Sequence, residues 1–141
     1  MLRKSSFVFL FVLGLAQVSL AQGIDFEHGN WSQILAKAKA ENKLIFMDAY
    51  TTWCGPCKLL QKKVFPQKEV GDYFNAHFIS TKVDMEKGEG PTLARKYRVS
   101  GYPTLFFIDP NSQKIVKSVL GYRDAQALLD IAKKANAKIG K

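Results

Sequence analysis

The chain carries two cysteines, Cys54 and Cys57, held three positions apart by Gly55-Pro56. Thiols at that spacing can cycle between dithiol and disulfide, because an exchange begun at one sulfur can be finished by the other one helical turn away. Only a thiolate exchanges disulfides, and a free cysteine is mostly protonated at neutral pH. A helix beginning at Cys54 would favour the thiolate there through its unpaired N–H groups and the positive end of its dipole. Pro56 suits such a first turn, since the N–H that proline lacks would have found no intrahelical partner. On this chemistry Cys54 is the expected nucleophile and Cys57 the expected resolving thiol. Other uses of the pair fit less well. A disulfide framework in a small secreted domain needs more cysteines at longer spacing. A structural zinc site takes four ligands, and the only histidines, His28 and His77, form no paired motif. Metal binding would require two chains, each lending its cysteine pair. Neither a metal nor a cofactor is expected.

The flanking sequence supplies the elements that would position the pair. Leu44–Tyr50 is a nearly continuous apolar run, which suits a strand buried on both faces. Thr51-Thr52-Trp53 then turns into the helix starting around Cys54, with Leu59, Leu60, Val64 and Phe65 directed inward. Pro66 interrupts that helix, and a second helical piece runs to about Ala76. Upstream, Asn30 can cap a helix with the apolar stripe Trp31, Ile34, Leu35 and Ala38, ended by Asn42-Lys43. Downstream come a strand over Phe78–Asp84, a charged loop over Met85–Gly90 and a short helix over Thr92–Tyr97. The turn Ser100-Gly101-Tyr102-Pro103 leads into a strand over Thr104–Asp109. A Pro110-Asn111-Ser112 hairpin turn joins it to a strand over Ile115–Leu120, which Gly121 stops. A final helix over Asp124–Ala137 carries Ala127, Leu128, Ile131 and Ala132 on one side. The order α-β-α-β-α-β-β-α predicts an α/β fold: a mixed central sheet, parallel first and antiparallel last, with helices on both faces.

The full string Trp53-Cys54-Gly55-Pro56-Cys57-Lys58, between an apolar strand and a helix, closely resembles the thioredoxin active site. The resemblance covers most of residues 22–141 and implies the thioredoxin fold. It also implies that Gly101-Tyr102-Pro103-Thr104 is the family's cis-proline loop facing the dithiol. Pro103 would be cis, and the backbone of Tyr102 would pair with an extended substrate segment by strand addition. Trp53, Gly55 and Pro56 would border the partner-binding rim. Asp48, six residues before Cys54, falls where the family has a buried acid that relays the proton of the resolving cysteine. In an otherwise apolar strand a carboxylate is costly unless paired or protonated; the alternative is a strand end open to water. Lys82 falls near the family's lysine partner for that acid, or is simply a solvated strand residue. Gly121 matches a family glycine that leaves a shallow groove, or merely ends its strand. Trp31 reads as a core residue of its helix. There are departures. The usual kink-proline position is Lys62, with the proline later at Pro66, and Tyr50 stands where tryptophan is common. The Met85–Gly90 loop is slightly long. Val64-Phe65 and the Trp31 helix look more like exported thioredoxin-like domains, such as the terminal reductase domain of the periplasmic thiol-transfer protein.

The whole sequence has 141 residues, 47% hydrophobic and 23% charged, in keeping with one globular domain. Residues 1–21 read as a secretory signal peptide. Arg3 and Lys4 precede an apolar run from Phe7 to Ala16, and Ser19-Leu20-Ala21 offers small residues for a cut after Ala21. The run is too short to cross a bilayer as a helix. The domain would then span residues 22–141, in the periplasm or outside the cell. Losing Arg3 and Lys4 lowers the formal charge from +9 to +7, spread along the chain and densest at Lys133, Lys134, Lys138 and Lys141. With no groove-reading or aromatic element beside them, nucleic acid is not an expected partner. The expected function is an exported protein-disulfide reductase, acting as a monomer on disulfide-containing exported proteins. In an oxidising compartment it would need an upstream thiol electron donor, such as a membrane-bound one. Gly-Pro between the cysteines resembles reducing members of the family. A disulfide oxidase or isomerase, and a non-enzymatic binding module on the same fold, are the competing readings.

Overall fold

A computed structural model describes residues 22–139. The signal-peptide segment assigned above lies outside the described residues. The elements follow in the order β1 (Phe26–Glu27), α1 (Trp31–Glu41), β2 (Leu44–Tyr50), α2 (Gly55–Lys63), α3 (Lys68–His77), β3 (Phe78–Asp84), α4 (Gly90–Lys96), β4 (Thr104–Ile108), β5 (Ile115–Leu120) and α5 (Ala125–Asn136). The strands form one five-stranded sheet in the order β1-β3-β2-β4-β5. β1, β3 and β2 run parallel, and β4 and β5 are antiparallel additions. This is the mixed sheet of the thioredoxin fold. Among the described residues, no helix is long and apolar enough to cross a membrane.

β2 lies at the centre, buried on both sides, and its alternating side chains divide the core into two halves. Leu44 and Phe46 point into a cluster with Leu60, Val64 and Phe65 from the α2 region, Val70 and Phe74 of α3, and Leu128 and Ala132 of α5. Ile45, Met47 and Ala49 point the other way, against Ile34 and Ala38 of α1, Leu93 of α4 and Tyr97 just after it. Asp48 therefore projects toward the first cluster, on the side of α2. The ring of Phe46 anchors that side, with centroids 4.7 Å from Phe74 and 5.3 Å from Phe107. Replacing it with alanine removes a fully buried ring from a packed layer. Phe46→Ala should cost ~3–5 kcal/mol of stability in chemical denaturation.

Local signals account for the boundaries. Asn30 caps α1 with a reciprocal capping box to Gln33, and Asn42 ends it in the left-handed region at φ 50°, which asparagine tolerates. α2 ends at Lys63, ahead of Pro66, so the interruption falls where proline dictates. Two expectations are corrected. Leu59 is 44% exposed rather than inward, because the buried stripe of α2 is Cys57, Leu60 and Val64. Leu59 lies about 100° around the helix from Leu60. The short edge strand β1 also goes beyond the expected order. The alternation Ile24-Asp25-Phe26-Glu27 is its only sequence signal, too brief to read as a strand.

Candidate active site

Cys54 and Cys57 are joined as a disulfide at the start of α2, with Cα atoms 5.3 Å apart. Cys54 is the N-cap residue, in extended backbone geometry, with Gly55 and Pro56 opening the helix. Its Sγ accepts a hydrogen bond from the Cys57 N–H at 3.2 Å. The sulfur thus occupies the place that a serine or aspartate oxygen takes in an ordinary cap, facing the positive end of the helix. Both cysteines are buried, Cys54 at 3% exposure and Cys57 at 0%. Gly55 and Pro56 are exposed beside them, and a Cβ on Gly55 would meet nothing within 4 Å.

Around this pair the chain assembles a rim from distant segments. Trp53 is 65% exposed. Its ring stands edge-on to Tyr102 at 5.9 Å, and its indole N–H donates to the Glu86 carboxylate. The Tyr102–Pro103 peptide bond is cis, and Pro103 is buried. Gly121 donates its N–H to the Pro103 carbonyl at 2.8 Å and adopts φ +92°, a conformation that favours glycine. It therefore does more than end β5: it ties the β5 end to the proline loop. Leu120, 54% exposed, packs over Gly101. Trp53, Tyr102 and Leu120 give this end of the molecule an apolar surface next to Cys54.

Asp48 is fully buried, and neither carboxylate oxygen has a hydrogen-bond partner among the described residues. Burial, partly offset by the charge of Lys82, pushes its carboxyl up to about 7 from the ordinary 3.8. Tyr50, two residues on, is raised by burial and then by Asp84 and Asp48. β2 runs toward the disulfide while α2 runs back from it. Stepping from Phe46 to Asp48 therefore leads the same way as stepping from Leu60 to Cys57, toward the disulfide end of the first cluster. Lys82 pairs with Asp48 in the β2–β3 register. No ion pair joins them among the described residues; the Lys82 ammonium lies over the Phe26 ring, 5.0 Å from its centroid. Trp31 packs on the opposite side of the sheet, edge-on to Tyr97 at 5.8 Å. Glu86 and Phe26 were not singled out in the sequence. Glu86 reaches Trp53 across 33 positions of sequence, and no local pattern announces such a contact.

Residues 31–136 match the family model described as a thioredoxin-like domain. The thiol:disulfide interchange protein DsbD of Yersinia pestis is 31% identical over 120 residues, which is 82% of this chain and 20% of that protein. The chain thus spans about a fifth of the length of that relative. Among solved structures, one described as a candidate disulphide-isomerase from Bacteroides thetaiotaomicron superposes with a TM-score of 0.73 at 48% identity, covering 85% of this chain and 98% of the other. A thioredoxin from Thermus thermophilus gives a TM-score of 0.71 at 27% identity, covering 78% and 86%. On this fold and this disulfide-capable pair, the chain belongs to the family of thioredoxin-like domains.

Proposed function

We propose that the chain is an exported protein-disulfide reductase, with Cys54 as nucleophile and Cys57 as resolving thiol. The observation that carries this reading is the placement of Cys54 Sγ as the cap of α2, accepting the Cys57 N–H. That position stabilises negative charge on Cys54 in the reduced state. The Cys54 thiolate attacks one sulfur of a substrate disulfide, a mixed disulfide forms, and the other substrate sulfur leaves as a thiolate. Cys57 then gives its proton to Asp48 and attacks Cys54 Sγ. The mixed disulfide breaks, the second substrate sulfur leaves, and the Cys54–Cys57 disulfide closes. The substrate gains two electrons and the enzyme loses them, and an upstream thiol donor restores the dithiol by the same exchange in reverse.

The unpartnered, buried Asp48 suits the relay because its carboxyl can take up a proton near neutral pH. Lys82, as a neighbouring cation, restrains that affinity for protons. The half-buried Tyr102 before the cis proline, with the exposed Trp53 beside it, suits an extended substrate segment lying across Gly55 and Pro56. The printed name of the Yersinia relative, a thiol:disulfide interchange protein, favours thiol–disulfide exchange, and the Gly55-Pro56 spacer favours the reducing direction. The name of the Bacteroides relative favours isomerisation instead. Anaerobic mixing of the reduced chain with a disulfide-bonded peptide separates the two. A reductase should gain one Cys54–Cys57 disulfide for each peptide disulfide lost, as counted by alkylation and mass spectrometry. Reshuffled peptide disulfides with the dithiol retained would reject net reduction.

A further inference from the structure

Lys82 sits on β3 between two strands that compete for its charge. On one side is β2, where Asp48 is its register partner. On the other is β1, where Phe26 pairs with Ser80, two residues before Lys82 and on the same face. A lysine in register with an unpartnered buried carboxylate can close an ion pair, although Lys82 is exposed and water competes for its ammonium. Here the ammonium lies instead over the Phe26 ring at 5.0 Å, and both Asp48 oxygens remain unpartnered among the described residues. The ring is itself fixed: it packs edge-on to Phe65 at 5.3 Å and against Phe46 at 6.5 Å. We propose that Phe26 is a positioning residue for the dithiol chemistry, holding the Lys82 ammonium on the outer side of β3 by a cation–π contact and so keeping it from pairing with Asp48. This rests on the reading of Asp48 as proton acceptor for Cys57.

The surroundings leave Lys82 as the cation with the clearest access to the acid. A 200 Å³ pocket beside its side chain is lined by Gln22, Ile24, Gln61 and Phe65 together with Phe26, and holds no other charged group. From α2, Lys58, Lys62 and Lys63 are exposed. β4 offers Leu105 opposite Asp48, and along β2 the neighbouring titratable group is Tyr50. A second pocket bordering Lys82 carries Glu27, His28, Asp84 and Glu89; there Glu27 pairs with Lys37, and Asp84, two residues along β3 on the same face as Lys82, lies 3.9 Å from Lys87. An Asp48–Lys82 ion pair would hold the carboxylate ionised, and it would then be a poor acceptor for the Cys57 proton. The two-residue strand β1 thus acts on the chemistry from a distance, through the cation that Phe26 holds.

The test is a carbon-13 NMR titration of the Asp48 carboxyl in the oxidised protein, where the cysteines do not titrate. Phe26→Leu should lower the Asp48 midpoint by about half a pH unit or more, as the freed ammonium approaches. Lys82→Met should raise the midpoint, and Phe26→Leu should then add nothing in the Lys82→Met background. Phe26→Tyr, which keeps a ring, should keep the wild-type midpoint. A midpoint that stays or rises in Phe26→Leu overturns the proposal. So does an equal fall in both backgrounds, which would mean that the ring acts only by excluding water. Should Phe26→Leu not fold, the wild-type spectrum decides: Lys82 ε-methylene protons shifted upfield by the ring support the contact, and unshifted ones overturn it. The relay is read separately, from the pH dependence of mixed-disulfide resolution. Midpoints that move as expected while that rate ignores them would leave the positioning intact and remove the relay.

Discussion

Replacing Cys57 with serine should convert the protein from a catalyst into a trap. Attack by Cys54 proceeds, because the capping position at α2, the exposed Trp53 and the half-buried Tyr102 beside it are untouched. The second step has no thiol to complete it, so partners accumulate as mixed disulfides on Cys54. Non-reducing electrophoresis should show covalent adducts that collapse on adding dithiothreitol. Cys54→Ser should form none, and its turnover should fall by roughly 10³-fold or more, since nothing else in the site can begin the exchange. The asymmetry follows from the helix start: Cys54 faces the free N–H groups, whereas Cys57 lies one turn in, at 0% exposure. Adducts on Cys57 in the Cys54→Ser protein, with none in Cys57→Ser, would exchange the two roles.

Replacing Asp48 with asparagine should make the protein more stable at pH 8 and slower at pH 7. A carboxyl raised in the fold from 3.8 to about 7 binds its proton more tightly there than in the unfolded chain. Between those values the folded state holds a proton that the unfolded state has lost, so stability falls as pH rises. Above pH 7 the full cost of the buried, unpartnered carboxylate is felt; near pH 4 it is absent. The asparagine variant escapes that cost. Its advantage in guanidinium unfolding of the oxidised protein should reach up to about 4 kcal/mol at pH 8 and shrink toward zero near pH 4. The rate moves oppositely. Wild-type resolution of the mixed disulfide should rise as Asp48 loses its proton near pH 7. The variant should lose about 10²-fold at that pH and recover only near the ordinary thiol value of about 8.5. Equal stability at both pH values would show that Asp48 reaches water or a partner in solution. An unchanged rate profile would remove it from the mechanism.

The parts of this site legible in the sequence are those encoded locally. Cys54, Gly55 and Pro56 announce a helix start because capping and first-turn chemistry involve adjacent residues. Asp48 stands out because a charge inside an apolar run calls for an explanation. Pro103 and Gly121 were picked out only by resemblance to the thioredoxin family, and the hydrogen bond that joins them crosses 18 positions and needed the sheet to reveal it. The order of the long strands and helices was legible for the same reason: each has its own periodicity and stop signal. What escaped was set by contacts between distant segments. β1 is two residues long, and pairing with β3 defines it more than its own composition does. Glu86 and Trp53 meet only because the loop after β3 folds beside the one before α2. Leu59 was misplaced because a neighbouring pair of leucines cannot both face one cluster, and periodicity alone did not say which would turn outward.

The reduction potential of the Cys54–Cys57 pair, measured by equilibration against a graded series of reduced and oxidised dithiothreitol or glutathione, tests the reductase reading most directly. A cap that stabilises one thiolate modestly, a Gly-Pro spacer and no histidine between the cysteines predict a strongly reducing value, near roughly −270 mV. A value near roughly −120 mV would contradict net reduction and make the protein a donor of disulfides to its partners.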